Sequence, residues 1–345
     1  MKVLIIGGTQ FIGKAVAKRA SERGHEIVLF NRGLSQSDAS FPTIIGDVND
    51  LPQYQTQLRQ VRADAVVHAI AYTERHALDA VEVFQDTGAR IVALSSVDCY
   101  EAFYQLNKGR DVGDFPITEE SPTCHRRHYW RDFPGIKKYP DYDKNLMSSA
   151  FMSAHAEGKI TATILRLPMV FGPGDSQYQH RHGKFIRRVF DRQKTLLMGA
   201  NEQSSLFTFG FIDNVAAAIL HAAESQAATG KIFNVGESKS RSLRRWAELY
   251  GEAANINLDV TVLPDAIIEN DPTIAHSSPR FFLSDSGYFR RETGFTEPVE
   301  LADQIRQTLA WGLEHPESLG PQPDYDKENA LIGLYRRFLS QPLPQ

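Results

Sequence analysis

The sequence predicts an α/β fold, a doubly wound parallel sheet followed by a smaller C-terminal α/β lobe. Three observations carry that expectation. Short apolar runs alternate with helical patterns through the first half of the chain, as parallel strands joined by crossover helices do. These runs are rich in β-branched residues and do not alternate with polar ones, the habit of strands buried on both faces. The first run, Val3–Ile6, ends in Gly7 and Gly8 and opens onto an amphipathic helix.

Composition narrows the class. With 345 residues the chain is long enough for two lobes sharing a core. At 42% hydrophobic and 23% charged residues it reads as globular rather than disordered. A net charge of −4 provides no global attraction to nucleic acid or to an acidic membrane. Cys99 and Cys124 are too few for a disulfide framework and form no CxxC pair, so no cysteine zinc site is expected. No run approaches the roughly 20 apolar residues of a membrane span. The opening run is also too short for a secretory signal, so the cytoplasm is the expected compartment.

Candidate strands are Val3–Ile6, Glu26–Phe30, Thr43–Ile45, Ala65–Val67, Arg90–Leu94 and Thr161–Leu167. Helical patterns lie between them at Phe11–Arg23, Leu51–Val61, Glu74–Thr87 and Asp143–His155. Ile12, Val16 and Ala20 make one apolar stripe on the first helix. The stretch Asn107–Asp141 is polar and too long for a simple connection. Farther on come a basic helix near Lys184–Arg192, strands at Phe207–Asp213 and Lys231–Val235, and helices at Ser242–Ala254 and Pro298–His315. A polar, Pro-rich link, Pro316–Pro323, leads to a last helical segment at Glu328–Leu339. Residues 1–171, with 207–236 returning to them, form the expected dinucleotide-binding domain of Rossmann type. Residues 172–345 form mainly a substrate-binding lobe and the C-terminal helices.

The segment Gly7-Gly8-Thr9-Gln10-Phe11-Ile12-Gly13 joins the first strand to the first helix. A turn in this place aims backbone N–H groups and the positive helix end at a pyrophosphate. Gln10 stands where the usual fingerprint has its middle glycine, so its side chain either points away or contacts phosphate through the amide. At the end of the second strand an acid would hold the ribose 2′-hydroxyl of NAD, whereas arginine suits the 2′-phosphate of NADP. The residues there are Asn31 and Arg32, with no acid before Asp38. NADP is therefore the expected cofactor and NAD the alternative, unless Arg32 is simply a solvated loop residue.

Several motifs in order then resemble the extended short-chain dehydrogenase/reductase superfamily, the NAD(P)-dependent epimerases and dehydratases. The resemblance runs from Lys2 to about Trp311. Gly46-Asp47-Val48-Asn49-Asp50 looks like the GDxxD segment, which implies Asp47, with Val48, near the adenine. Val67-His68-Ala69-Ile70-Ala71 is similar to the strand-four motif lining the cofactor, and Ser95–Tyr100 to SSxxxY, which implies a catalytic Ser96. Leu165–Asp175 resembles LRPxxVYGPGD, placing Pro168 and Val170 on the cofactor side. Phe211–Ala216 and Phe233–Gly236 resemble YVDDVA and YNVG. The GGTxFIG form of the turn is closer to atypical members, including chloroplast stem-loop-binding proteins.

The family's chemistry uses Tyr-x-x-x-Lys on one helical face, the lysine lowering the phenol pKa and holding the ribose. Lys144 stands where that lysine belongs, but the residue four before it is Pro140, which has no proton to give. Tyr139 and Tyr142 flank the gap at spacings of five and two. Pro140 suits a first helical turn, leaving Tyr139 outside the helix as the substitute donor. Both tyrosines are otherwise rim aromatics of a degenerate site. His125, His128, His180 and His182 lack accompanying carboxylate or cysteine ligands and read as polar loop residues, so no metal is expected. Arg126, Arg127 and Arg131 form either a solvated face or a contact for phosphates of a substrate or RNA.

The resemblance implies an NADP(H)-dependent epimerase, dehydratase or reductase acting on a nucleotide sugar or a similar small hydroxy or carbonyl compound. It also implies a homodimer formed through the helices after strands four and five. The competing reading is a non-redox dinucleotide-binding protein with a degenerate site, binding RNA or a protein partner. The net charge weighs against RNA.

Overall fold

The computed structural model describes residues 1–34, 41–110, 112, 115–133, 140–175, 181–268 and 280–340. Tyr139 and His180 lie outside these residues. The chain divides into two compact units. The first comprises 1–170, 209–238 and 284–299, and the second comprises 171–208, 239–283 and 300–345.

In the first unit, β1 (Lys2–Ile6), β2 (Glu26–Asn31), β3 (Thr43–Ile45), β4 (Ala65–His68), β5 (Arg90–Ser96), β6 (Thr161–Leu167) and β7 (Ile232–Asn234) form one sheet. The sheet has seven strands, in the order β7-β6-β5-β4-β1-β2-β3, and every pairing is parallel. Ile5 of β1 lies opposite Leu29 on one side and Val67 on the other. Val3–Ile6, Val66, Val67 and Ile91–Ala93 are fully buried, which accounts for strands without alternation. Strand order reverses between β1 and β4, the switch point where such sheets open a crevice at their carboxyl ends.

The helices of this unit include α1 (Phe11–Glu22), α2 (Gln55–Gln60), α3 (Glu74–Phe84), α4 (Glu101–Asn107), α5 (Lys144–Ala156) and α6 (Ile212–Glu224). Helix α1 buries Gly13, Val16, Ala17 and Ala20, the stripe read from the sequence, and lies against α6. Helix α3 lies against α5. The expected helix Leu51–Val61 is instead a 3₁₀ segment, Val48–Tyr54, kinked at Asp50, followed by the short α2. Pro52 within it has no N–H for a regular ladder. The expected strand Phe207–Asp213 breaks at Thr208 into Leu206–Phe207 and Phe209–Phe211, and helix α6 begins at Ile212.

In the second unit, Thr195–Gly199 pairs in parallel with Asp259–Leu263. Leu206–Phe207 lies between Arg241–Ser242 and Phe281–Phe282. Helices Gly183–Phe190, Leu243–Ala253, Leu301–Glu314 and Tyr325–Leu339 surround these strands. The last helix starts three residues before the sequence suggests, because Asp324 caps the amide of Lys327. A buried ion pair, Arg188 to Glu328 at 2.6 Å, ties it to Gly183–Phe190. Among the described residues no helix is long and apolar enough to cross a membrane.

Candidate functional site

The turn after β1 is built by close backbone approach. Gly7 holds φ +91°, a conformation that L side chains rarely adopt. Gly13 sits so close that a Cβ there would lie 2.1 Å from the Gly7 carbonyl oxygen. The start of α1 is thereby pressed onto the strand end, leaving first-turn N–H groups with no partner inside the helix. Gln10 caps α1 in an extended conformation, and its exposed side chain makes no cap bond. Phe11 has φ +33°, and Thr9, Phe11 and Ile12 are half-buried around the turn.

Across the switch point, Ala69 donates its N–H to the Ile6 carbonyl at 3.0 Å, and Ile70 lies under Gly7. At the end of β2, the buried Asn31 accepts the Gly33 N–H on Oδ1 at 2.8 Å, while its buried Nδ2 has no partner among the described residues. Arg32 follows, exposed. Asp47 accepts both the backbone N–H and the side-chain amide of Asn49, at 2.9 and 2.8 Å, just ahead of the buried Val48 segment. Asn49 Oδ1 lies 3.0 Å from His76 Nε2, and the Tyr72 N–H donates to His76 Nδ1 at 3.2 Å. Because Nδ1 accepts from Tyr72, Nε2 carries the proton and donates to Asn49; burial first, then the Lys144 charge, lowers the His76 pKa. No spacing rule in the sequence points to His76; it enters through the fold.

Lys144 is the first residue of α5, with Asp143 capping the amides of Asn145 and Leu146. It is buried, and its ammonium donates to the Ala71 and Leu94 carbonyls, both at 2.7 Å, at the carboxyl ends of β4 and β5. The same ammonium lies 4.8 Å from the Tyr72 ring centroid. Pro140 does not occupy a first helical turn: α5 begins at Lys144, and residues 140–143 precede it as non-helical chain. Asp143, not Pro140, caps the helix start. Tyr142 is buried and donates its hydroxyl to Asp98 Oδ2 at 2.8 Å.

Asp98 is the residue that sequence reasoning missed. It sits two positions after Ser96, whose Oγ accepts the Asp98 N–H at 3.2 Å. Besides Tyr142, the buried carboxylate accepts Tyr129 Oη at 2.9 Å and Trp130 Nε1 at 3.2 Å. Burial, followed by the Asp98 charge, pushes both phenols well above their ordinary pKa. His68, the last residue of β4, is fully buried, and neither ring nitrogen has a hydrogen-bond partner among the described residues. Burial first, then His76 and Lys144, lowers its pKa to about 3, so it is neutral.

The other motif residues cross-link the sheet. Arg166 donates to Tyr100 Oη at 2.8 Å, Tyr100 donates to Asn234 Oδ1 at 2.7 Å, and the Asn234 N–H donates to Glu119 at 2.7 Å. Pro168 and Val170 follow β6 and are buried. His125 is beside Glu101, and the His128 N–H donates to Asp143 at 2.9 Å. His182 belongs to an aromatic cluster of the second unit, with ring centroids 4.4 Å from Phe171 and 4.6 Å from Trp246. Arg126 pairs with Asp132 at 3.1 Å and Arg131 with Asp141 at 2.6 Å, whereas Arg127 is exposed.

A seven-stranded parallel sheet with a glycine-pressed turn at its switch point defines a Rossmann-type protein. The chain belongs to the NAD dependent epimerase/dehydratase family, whose profile matches residues 3–236. A 2-alkyl-3-oxoalkanoate reductase of Stenotrophomonas maltophilia is 24% identical over 273 residues, 71% of this chain and 73% of its own. A probable UDP-arabinose 4-epimerase of Arabidopsis thaliana is 21% identical, covering 91% of this chain and 81% of its own. Among solved structures, a putative epimerase from Burkholderia cenocepacia superposes with TM-score 0.69 at 18% identity, covering 90% of this chain and 97% of that one. The Bordetella bronchiseptica enzyme WbmG, in complex with NAD and UDP, gives 0.67 at 18% identity, covering 91% and 95%.

Proposed function

We propose that this chain is an NADP(H)-dependent enzyme of the epimerase, dehydratase or reductase type, acting on a nucleotide sugar or a similar small hydroxy or carbonyl compound. The observation that carries the reading is the cradle at the β1–α1 turn, where a Cβ at Gly13 would meet the Gly7 oxygen at 2.1 Å. Only a backbone stripped of side chains there lets a pyrophosphate sit against the helix end. The Nδ2 of Asn31, without a partner among the described residues, and the adjacent exposed Arg32 suit a 2′-phosphorylated ribose. In this reading Gly7, Thr9, Gln10, Phe11, Ile12 and Gly13 hold the phosphates. Asp47, Val48, Ala69, Ile70, Ala71, Pro168 and Val170 line the rest of the dinucleotide.

A nicotinamide dinucleotide supplies a hydride acceptor or donor when bound. The protein's part is to orient that cofactor, exclude water and move a proton. Lys144, fixed by two carbonyls, sets positive charge at the ends of β4 and β5, and Ser96 offers a hydroxyl to a substrate oxygen. Dinucleotide binding belongs to the first unit in this proposal and substrate selection mainly to the second. The reductase and epimerase relatives support the reaction class. The cofactor test is a fluorescence or calorimetric titration: NADPH is expected to bind more tightly than NADH, and Arg32→Asp to reverse the order. Equal affinities before and after substitution refute the NADP assignment.

A further inference from the structure

The geometry points to Tyr142, backed by Asp98, as the proton-transfer pair of this site, the phenol relaying a proton between a substrate oxygen and the carboxylate. This rests on the hydride chemistry proposed above. Two contacts bring Tyr142 to the residues of that chemistry. Its hydroxyl is 2.8 Å from Asp98 Oδ2, and the Asp98 N–H binds Ser96 Oγ at 3.2 Å. The Lys144 ammonium lies 5.8 Å from the Tyr142 ring centroid, and Tyr72 stacks on that ring at 6.1 Å.

The donors around Asp98 fix the direction of the relay. An indole N–H can only donate, and an ionised carboxylate can only accept. Tyr129, Trp130 and Tyr142 all direct hydrogens at Asp98. Tyr142 therefore points its own proton at Oδ2, and in the relay its Oη takes the substrate's proton. Burial and the Asp98 charge oppose a phenolate at this position. A relay avoids that state, because Tyr142 stays neutral throughout.

In the oxidative direction, the substrate carbinol O–H breaks as a new O–H forms on Tyr142 Oη. The original Tyr142 O–H breaks as an O–H forms on Asp98 Oδ2. The carbinol carbon becomes a carbonyl, its hydride leaving for an oxidised nicotinamide, the two-electron acceptor of the proposed reaction. Reduction runs the same bonds in reverse. Tyr142 touches the reacting oxygen, and Asp98 acts through it.

The test combines a measurement independent of turnover with kinetics. In full-length protein labelled with [ζ-¹³C]tyrosine, the Tyr142 resonance is the one lost in Tyr142→Phe. It is expected to stay at the neutral-phenol position well past the ordinary phenol value of about 10, and to titrate lower in Asp98→Asn than in wild type. The titratable neighbours Lys144, Tyr72, Tyr129 and Cys99 are unchanged in both proteins. Identical, ordinary titration in both overturns the pair.

With a nucleotide-sugar panel, Tyr142→Phe and Asp98→Asn should each lower kcat by about 10²–10⁴-fold while NADPH affinity holds within about twofold. The double variant should be no slower than the slower single, Asp98→Glu should recover part of the rate, and Tyr139→Phe should keep it. Multiplied losses in the double variant, or full activity in Tyr142→Phe, overturn the relay. Tyr142→Phe removes a single oxygen, so the test stands even if Asp98→Asn fails to fold. No turnover in wild type with the NMR coupling intact overturns the enzyme reading and the relay with it, an outcome distinct from failure of the pair alone.

Discussion

Replacing Gly13 with alanine tests the β1–α1 turn most directly. The added Cβ would lie 2.1 Å from the Gly7 oxygen, 2.9 Å from its carbonyl carbon and 3.0 Å from Gly8 Cα. Carbon–oxygen contacts settle at about 3.3 Å, so the helix and the turn must separate by about 1.2 Å. All three obstructing atoms are backbone, and no side chain can swing away. Overpacking of this kind costs about 1–3 kcal/mol, whereas alanine in a helix gains about 1 kcal/mol over glycine. Taking the upper end, the net loss is about 2 kcal/mol. For a cooperative unit of about 200 residues that lowers Tm by about 4–8 °C. Displacing the helix end should also weaken NADPH binding at least about tenfold, or 1.4 kcal/mol. Thermal melts with and without NADPH and a fluorescence titration read both effects. Gly333→Ala, in Tyr325–Leu339 with nothing within 4 Å, isolates the propensity gain and should not lower Tm. An unchanged or raised Tm in Gly13→Ala, with unchanged NADPH affinity, would show that α1 is not pressed onto the turn.

Two further substitutions follow from the same region. Gln10→Gly should leave the fold intact and change cofactor affinity by about 1 kcal/mol, the scale of one net hydrogen bond; a large stability loss without cofactor would make Gln10 a packing residue instead. His68→Leu should flatten the acid limb of stability. The folded pKa is lowered from 6.5 to about 3, so below pH 6.5 the unfolded chain takes a proton that the folded one refuses. Stability present above that pH is therefore lost as pH falls, by about 2 kcal/mol at pH 5. Denaturant midpoints that fall equally with pH in both proteins would contradict the assignment of that loss to His68.

The sheet was legible because its strands are buried on both faces, and short uninterrupted β-branched runs between helical patterns belong to buried parallel strands. The turn was legible because glycines with a structural duty sit at fixed offsets. Lys144 was singled out by the family resemblance, and the structure buries it against the Ala71 and Leu94 carbonyls. Asp98 was not, because what makes it notable is three donors arriving from Tyr129, Trp130 and Tyr142, up to 44 residues away. Sequence proximity carries no trace of that convergence. Pro140 misled for a related reason: a proline suits a helix start, but the Asp143 cap sets the start of α5 at Lys144, four residues later.

The bonds among Arg166, Tyr100, Asn234 and Glu119 bear on how the molecule is assembled. Asn234 comes 134 residues after the tyrosine that needs it, and it arrives on the edge strand β7. A nascent chain that has emerged only as far as residue 171 holds six of the seven strands, yet leaves the Tyr100 hydroxyl and the Arg166 guanidinium without that acceptor. Truncation there is not a route to an autonomous nucleotide-binding fragment. The sheet is completed only when a segment made after 171–208, the first stretch of the second unit, comes back to it, so the two units cannot mature strictly one after the other.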